Sequence, residues 1–281
     1  MVSEVKLDNI KESIKYFTEI DINKISSYES QSEEAMLHMD NIDSSGFHLI
    51  DSKVVTKLKD SPRVQKSLIE FSKRYHLLGI HIELYQARQI ISSNDPKREY
   101  AKIPLKGYLA TTSAEVNGAN LKKGDKVIFI GSGPMPITLI QLYEHFGIES
   151  IGIEIIPEIA EVSRKLIESL GYSDKIKIIT GDHHSITSAK EINHINVAYA
   201  AHPINEILVH LKSIISTNTT ISYRFDAINQ HEGTIRGIID NRKTEVKEFN
   251  GLETFHLCVP EKKANSCIKF LRLQNGRSDK K

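Results

Sequence analysis

Apolar positions in the first 118 residues recur at helical spacing. Between Asp8 and Leu37 they are loosely placed among many Lys, Glu and Ser. Ser61-Pro62 reads as an N-cap followed by proline in the first turn, and after it the pattern tightens. Val64, Leu68, Phe71, Tyr75, Leu78, Ile82 and Tyr85 step by four and three residues, which predicts one stripe of a long helix. Leu77, Ile80, Leu84, Ala87 and Ile91 predict a second stripe, and Asn94-Asp95-Pro96 predicts the end of the helix.

The second half changes rhythm. Lys126 to Gly131 is a β-rich apolar run that stops at glycine, and 137–147 follows with a helical pattern. Strands are expected at 150–155, 175–180, 195–201 and 219–225, with helices at 157–170 and 205–215 between them. Strands alternating with helices of this length imply βαβ units and a parallel sheet. Runs at 254–260 and 266–273 predict an antiparallel hairpin closing that sheet. The expected fold class is α/β, with residues 1–118 as a helical domain covering the active site and 119–281 as a Rossmann-like, doubly wound sheet.

Composition narrows the class. Of 281 residues, 37 are Lys or Arg and 36 are Asp or Glu, a net charge of +1. No dominant basic field is available for a nucleic-acid partner. No uncharged apolar run is long enough to cross a bilayer, and the start, MVSEVKLDNIKES, lacks an apolar signal segment. A soluble, cytoplasmic protein is expected, and the mixed surface of its N-terminal half could hold a homodimer contact. Cys258 and Cys267 cannot form a disulfide framework or a four-thiolate zinc site. His183 and His184 are adjacent and expected to diverge, and no His-x-x-x-His or Cys-x-x-Cys cluster occurs, so no catalytic metal is expected.

The candidate chemistry begins at Gly131-Ser132-Gly133-Pro134, where the first strand turns into the first helix of the sheet. Ligands bind there in doubly wound folds. A dinucleotide fingerprint would place a third glycine at 136, which is proline here. Pro134 and Pro136 also remove amide donors that a pyrophosphate would use, which favours a nucleoside without one. Glu154, ending the second strand, can accept hydrogen bonds from both ribose hydroxyls. Asp182, after the third strand, can meet an adenine amino group. Glycine loop and two strand-end acids together describe an S-adenosylmethionine pocket, in a sheet of the type found in methyltransferases using that donor.

The segments Phe129 to Thr138 (FIGSGPMPIT), Ile153 to Pro157 (IEIIP) and Thr180-Gly181-Asp182 resemble nicotianamine synthases. The archaeal synthase-like proteins and the bacterial aminobutyrate-adding enzymes of opine metallophore biosynthesis (the staphylopine type) are similar over about residues 60–272. The resemblance implies a helical domain over a Rossmann-like domain. It also implies that an amine attacks the γ-carbon of S-adenosylmethionine and that methylthioadenosine leaves. On this resemblance Gly131, Gly133, Pro134, Glu154 and Asp182 would hold the donor. The segment Ile82 to Arg88 (IELYQAR) resembles the helix bearing a substrate-binding glutamate, which falls on Glu83. Gly107-Tyr108-Leu109 resembles the segment bearing a substrate-site tyrosine, which falls on Tyr108. Both would be catalytic.

The chemistry requires a neutral amine in line with the Cγ–S bond and a group to take its proton. Helical geometry puts Glu83 roughly opposite His81 and Arg88, the expected solvent face. Arg224, at the end of the fifth strand, could hold a substrate carboxylate bidentately, and His202 and Asp226 are further pocket candidates. The acceptor would be an amino acid or a second S-adenosylmethionine. A small-molecule methyltransferase is the alternative, since it would share nearly the whole donor pocket.

Overall fold

A computed structural model describes residues 62–225, 251–258 and 267–274, with isolated positions 12, 15 and 16. The helical segment expected between Asp8 and Leu37 lies outside the described residues apart from those three, and Asp226 lies outside them too. Among the described residues no helix is long and apolar enough to cross a membrane.

The tight apolar spacing after Pro62 produces α1, Pro62–Ser92. From residue 77 onward its buried apolar side chains are Leu78, Ile82, Ala87 and Ile90. The two expected stripes therefore merge into one, and Leu77, assigned to the second, is exposed. Of the expected solvent face, Arg88 is exposed but His81 is half-buried. Glu83 is half-buried as well. The chain divides between Gln86 and Ala87 into two compact units, and all strands of the sheet belong to the second.

In that second unit Asp95 caps α2 (Pro96–Tyr100) by accepting the Arg98 amide at 3.1 Å. Helix α3 follows over Lys106–Gly118. It packs on the sheet's terminal hairpin, where Gly118 meets the Phe270 ring so closely that a Cβ would stand 2.3 Å from it. The helices α2 and α3, expected within the helical half ending at 118, thus share a compact unit with the sheet.

The remaining elements alternate as expected: β1 (Lys126–Ile130), α4 (Ile137–Phe146), β2 (Glu149–Glu154), α5 (Pro157–Ser169), β3 (Ile176–Thr180), β4 (His194–Val197), α6 (Ile204–Ile214), β5 (Thr220–Phe225), β6 (Leu252–Cys258) and β7 (Cys267–Leu273). They form a seven-stranded sheet in the order β3-β2-β1-β4-β5-β7-β6. All pairs are parallel except those made by β7. Side-chain alternation splits β1 between two cores. Val127 and Phe129 join Leu139, Ile140 and Leu166 on one face, while Ile128 and Ile130 join Ile195, Ile207 and Leu211 on the other. Burial on both faces explains why this strand reads as an unbroken apolar run. The chain order reverses between β1 and β4, which fixes the ligand crevice at their carboxyl ends.

One strand is shorter than its sequence suggests. The expected fourth strand over 195–201 stops at Val197. Ala198 and Ala201 turn back under the glycine loop instead, with the Ala201 amide donating to the Ala198 carbonyl.

At the other end of β4, His194 is fully buried. Its Nδ1 meets the Thr220 hydroxyl at 2.7 Å and its Nε2 the Ser222 hydroxyl at 2.8 Å. Burial pushes its pKa down to about 3. The unfolded chain therefore takes up a proton near pH 6.5 that the folded chain refuses. Its stabilising contribution is complete above that pH and is lost as the pH falls toward about 3. We expect the urea midpoint to drop across this window, with a limiting slope of about 1.4 kcal/mol per pH unit from this residue. A His194→Gln variant, less stable at neutral pH, should lose that part of the slope.

Candidate active site

The turn after β1 is held open by glycine. Gly131 and Gly133 adopt φ of 82° and 68°, in the left-handed region that side chains resist. A Cβ on Gly131 would also stand 3.1 Å from the Ala198 Cβ. Gly131→Ala is therefore expected to cost about 1–2 kcal/mol of stability, read as a lower urea midpoint. The Gly131 amide donates to the Ile153 carbonyl at 2.8 Å, which docks the loop on β2. Gly152 permits this approach, because a Cβ there would lie 2.8 Å from Ser132. The Ser132 hydroxyl is buried and has no hydrogen-bond partner among the described residues.

Glu154 fastens the turn from the other side. It is only 7 % exposed. Its Oε2 accepts the Gly133 amide and its Oε1 the Ile156 amide, each at 3.0 Å. Each oxygen keeps a further lone pair, so the carboxylate is fixed in place and still able to accept. Pro134 follows in the loop, and α4 starts three residues later with no side-chain cap. Asp182 begins a short 3₁₀ turn, its Oδ1 accepting the His184 amide at 2.9 Å. The Gly181 amide donates to the Glu154 carbonyl at 2.9 Å, tying the loop after β3 to the end of β2. The structure thus gathers Gly131, Ser132, Gly133, Pro134, Glu154 and Asp182 at one edge of the sheet.

The other candidates fall differently. Arg224 does reach the carboxyl edge of β5, but its bidentate partner comes from within the chain. Its Nε and Nη2 each donate to the Glu115 carboxylate at 2.7 Å, and Nη2 also donates to the Thr138 hydroxyl at 2.9 Å. The guanidinium lies over the Phe129 ring, 4.9 Å from its centroid. Glu115 is almost wholly buried. Below this pair Thr112 donates to Gln141 at 2.9 Å, so α3 is bound to α4 through polar groups. Tyr108 stands seven residues before Glu115, about 10 Å along the helix. Like Tyr143, Phe146 and Tyr172, it is partly buried against the core cluster on that face of the sheet. Burial raises the pKa of its neighbour Tyr100, helped by the nearby Glu144 carboxylate. His202 is exposed in the loop between β4 and α6. Half-buried Tyr223, beside Arg224, has its phenol pushed up to about 12 by burial.

Residues 183 and 184 correct an expectation. The 3₁₀ turn stacks the two imidazoles rather than splaying them, with ring centroids 4.1 Å apart. His210 of α6 joins them, its ring 4.8 Å from His184 and 5.4 Å from His183. Burial, reinforced by the neighbouring imidazoles, pushes the His183 pKa down.

Comparison with known proteins follows the same lines. The family described as nicotianamine synthase protein matches residues 8–275. The chain belongs to the nicotianamine synthase family. Its fold is similar to that of MtNAS. A glutamate-to-glutamine mutant of MtNAS in complex with S-adenosylmethionine superimposes with a TM-score of 0.77 at 25 % identity, over 95 % of this chain and 98 % of that one. MtNAS in complex with MTA and tNA gives a TM-score of 0.76 at 25 % identity, over 97 % and 100 %. L-histidine 2-aminobutanoyltransferase from Yersinia pestis is 22 % identical over 169 residues, spanning 60 % of this chain and 62 % of that relative. This member of the nicotianamine synthase family therefore matches less than two thirds of that relative's length.

Proposed function

We propose that the protein transfers the 3-amino-3-carboxypropyl group of S-adenosylmethionine to an amine and releases methylthioadenosine, in the biosynthesis of a nicotianamine-like metallophore. Family membership supports the reaction class, as do relatives crystallised with the donor and with MTA. The observation that carries the reading for this chain is the Glu154 carboxylate, pinned by two amides yet keeping lone pairs for a ribose. In this reading the loop Gly131-Ser132-Gly133-Pro134 lets the donor approach the backbone closely, the buried Ser132 hydroxyl being available to it. Asp182 accepts from the adenine amino group. The Arg224–Glu115 pair positions α3 and the start of α4, and exposed His202 is a rim residue of the acceptor side.

The sulfonium is already a good leaving group, so the protein's part is alignment and removal of one proton. Glu83 holds the acceptor's ammonium and takes its proton. The freed nitrogen lone pair attacks Cγ, the Cγ–S bond breaks, and the electron pair leaves on sulfur as methylthioadenosine. Glu83 is half-buried, and a carboxylate held within hydrogen-bond reach of the nitrogen can serve as its general base. Tyr108 assists as a hydrogen-bond relay or orienting group for that proton transfer. The acceptor is an amino acid, histidine being one candidate from the curated relative, or a second donor molecule.

The test is incubation with S-adenosylmethionine, with and without candidate amino acids, followed by mass spectrometry. A mass gain of one or more aminobutyrate units with methylthioadenosine is expected. Release of S-adenosylhomocysteine instead would establish a methyltransferase.

A further inference from the structure

Next to the proposed adenine residue lies a cluster that the transfer reaction does not use. Asp182, His183 and His184 present one ligand atom each, all within 4.8 Å of one another. His183 is only 8 % exposed, and its Nε2 has no hydrogen-bond partner among the described residues. A buried polar atom left without a partner costs about 1–3 kcal/mol, so the site as it stands lacks a neighbour for that nitrogen. His210 approaches from α6. Its Nε2 lies 3.0 Å from the Ile186 carbonyl, which can only accept, so that nitrogen carries the proton. Its Nδ1 then holds a lone pair, its ring stands 4.8 Å from that of His184, and the Ile186 bond orients the imidazole as outer contacts orient metal-bound histidines.

We propose that Asp182, His183 and His184, with His210 beside them, hold a borderline divalent transition-metal ion such as zinc, and that its binding competes with binding of the donor. The donor set decides the class of ion. Two or three imidazoles with one carboxylate suit zinc, cobalt, nickel or copper. Magnesium and calcium prefer all-oxygen sites. Ligand nitrogens in a tetrahedral zinc site stand roughly 3.3 Å apart, so closure from the observed spacing needs only side-chain rotation. His184 is exposed and has room to turn. The competition rests on the proposed adenine contact: a cation on Asp182 withdraws the acceptor that the amino group would use. By linkage, the donor must weaken the metal to the same degree.

The full chain is titrated with zinc sulfate by calorimetry, alongside His183→Gln and His184→Gln. One tight site is expected, weakened about tenfold or more in each variant. Cobalt(II) should give visible ligand-field bands of a low-coordinate site that both variants lose, and magnesium should give neither signal. His184 is exposed, so His184→Gln retains the fold and decides the matter even if His183→Gln does not fold. Zinc affinity equal in wild type and His184→Gln overturns the site. Donor affinity is then measured with and without saturating zinc, a drop of about threefold or more being expected. An unchanged donor affinity overturns the competition. A chain that binds zinc at this cluster but no S-adenosylmethionine overturns the transferase reading and leaves the metal site standing.

Discussion

Glu83→Gln is expected to slow aminocarboxypropyl transfer by about two to four orders of magnitude, the usual contribution of a positioned general base. Affinity for S-adenosylmethionine should change by less than about threefold, a small effect on the same energetic scale. The split follows from the proposed role. Glutamine keeps the size and polarity of the side chain and can accept a hydrogen bond through its carbonyl, so an ammonium can still dock. It cannot take the proton, so the nitrogen lone pair never becomes available for attack. Single-turnover rates and equilibrium donor binding separate the two quantities. A parallel fall in both would mean that Glu83 supports the fold or the donor, and the proton would then need another acceptor. Raising the pH should rescue the variant partly, because more acceptor amine is then neutral in solution.

Arg224→Ala should be among the most destabilising single changes in the protein. It leaves the Glu115 carboxylate buried with neither of its 2.7 Å partners. Breaking a buried pair from one side costs about 3–5 kcal/mol, a fall in Tm on the order of 10 °C for a chain of this size. Glu115→Ala should cost a similar amount, because it strands the guanidinium instead. The double variant Glu115→Leu with Arg224→Met should recover much of the loss, since apolar groups of similar volume replace buried ion pairs at little cost. A merely exposed ion pair would show changes below about 1 kcal/mol in all three. Should Arg224→Ala leave the Tm unmoved and raise only the KM for the acceptor, the guanidinium would be a substrate clamp and the pairing with Glu115 incidental.

These residues also mark where the chain could be read and where it could not. The sheet is legible because β1 is apolar on both faces, because β2 to β4 carry isoleucine or valine at alternate positions, and because glycine and proline punctuate the strands. Gly131 and Gly171 end elements, and Pro157 begins one. The donor edge was legible for the same reason: Gly131, Gly133, Glu154 and Asp182 sit at strand ends, and strand ends converge in a parallel sheet. Strand four was overread because Ala198 to Ala201 is apolar without being extended. Its small side chains are needed beneath Gly131, where a larger one would collide.

Glu115 was missed, although a signal existed. It is the one charged residue between Gly107 and Gly118, and Arg224 the one charged residue in β5. Two solitary opposite charges in otherwise uncharged elements have no local partner, which suggests that they find each other. The distance of 109 positions between them hid the pair. The stacked histidines are hidden in the sequence, because adjacency suggests divergence. That holds for an extended strand, where successive side chains alternate faces, and fails in a 3₁₀ turn.

The junction near residue 118, which looks in the sequence like a seam between two halves, is in fact sewn shut. A shortened protein beginning at residue 119 would lack Glu115, Thr112 and the Gly118 backbone on which Phe270 rests. It would expose the underside of its own terminal hairpin and maroon a guanidinium in hydrocarbon. Anyone wishing to isolate the sheet should cut upstream of α2, so that both short helices travel with the strands they roof.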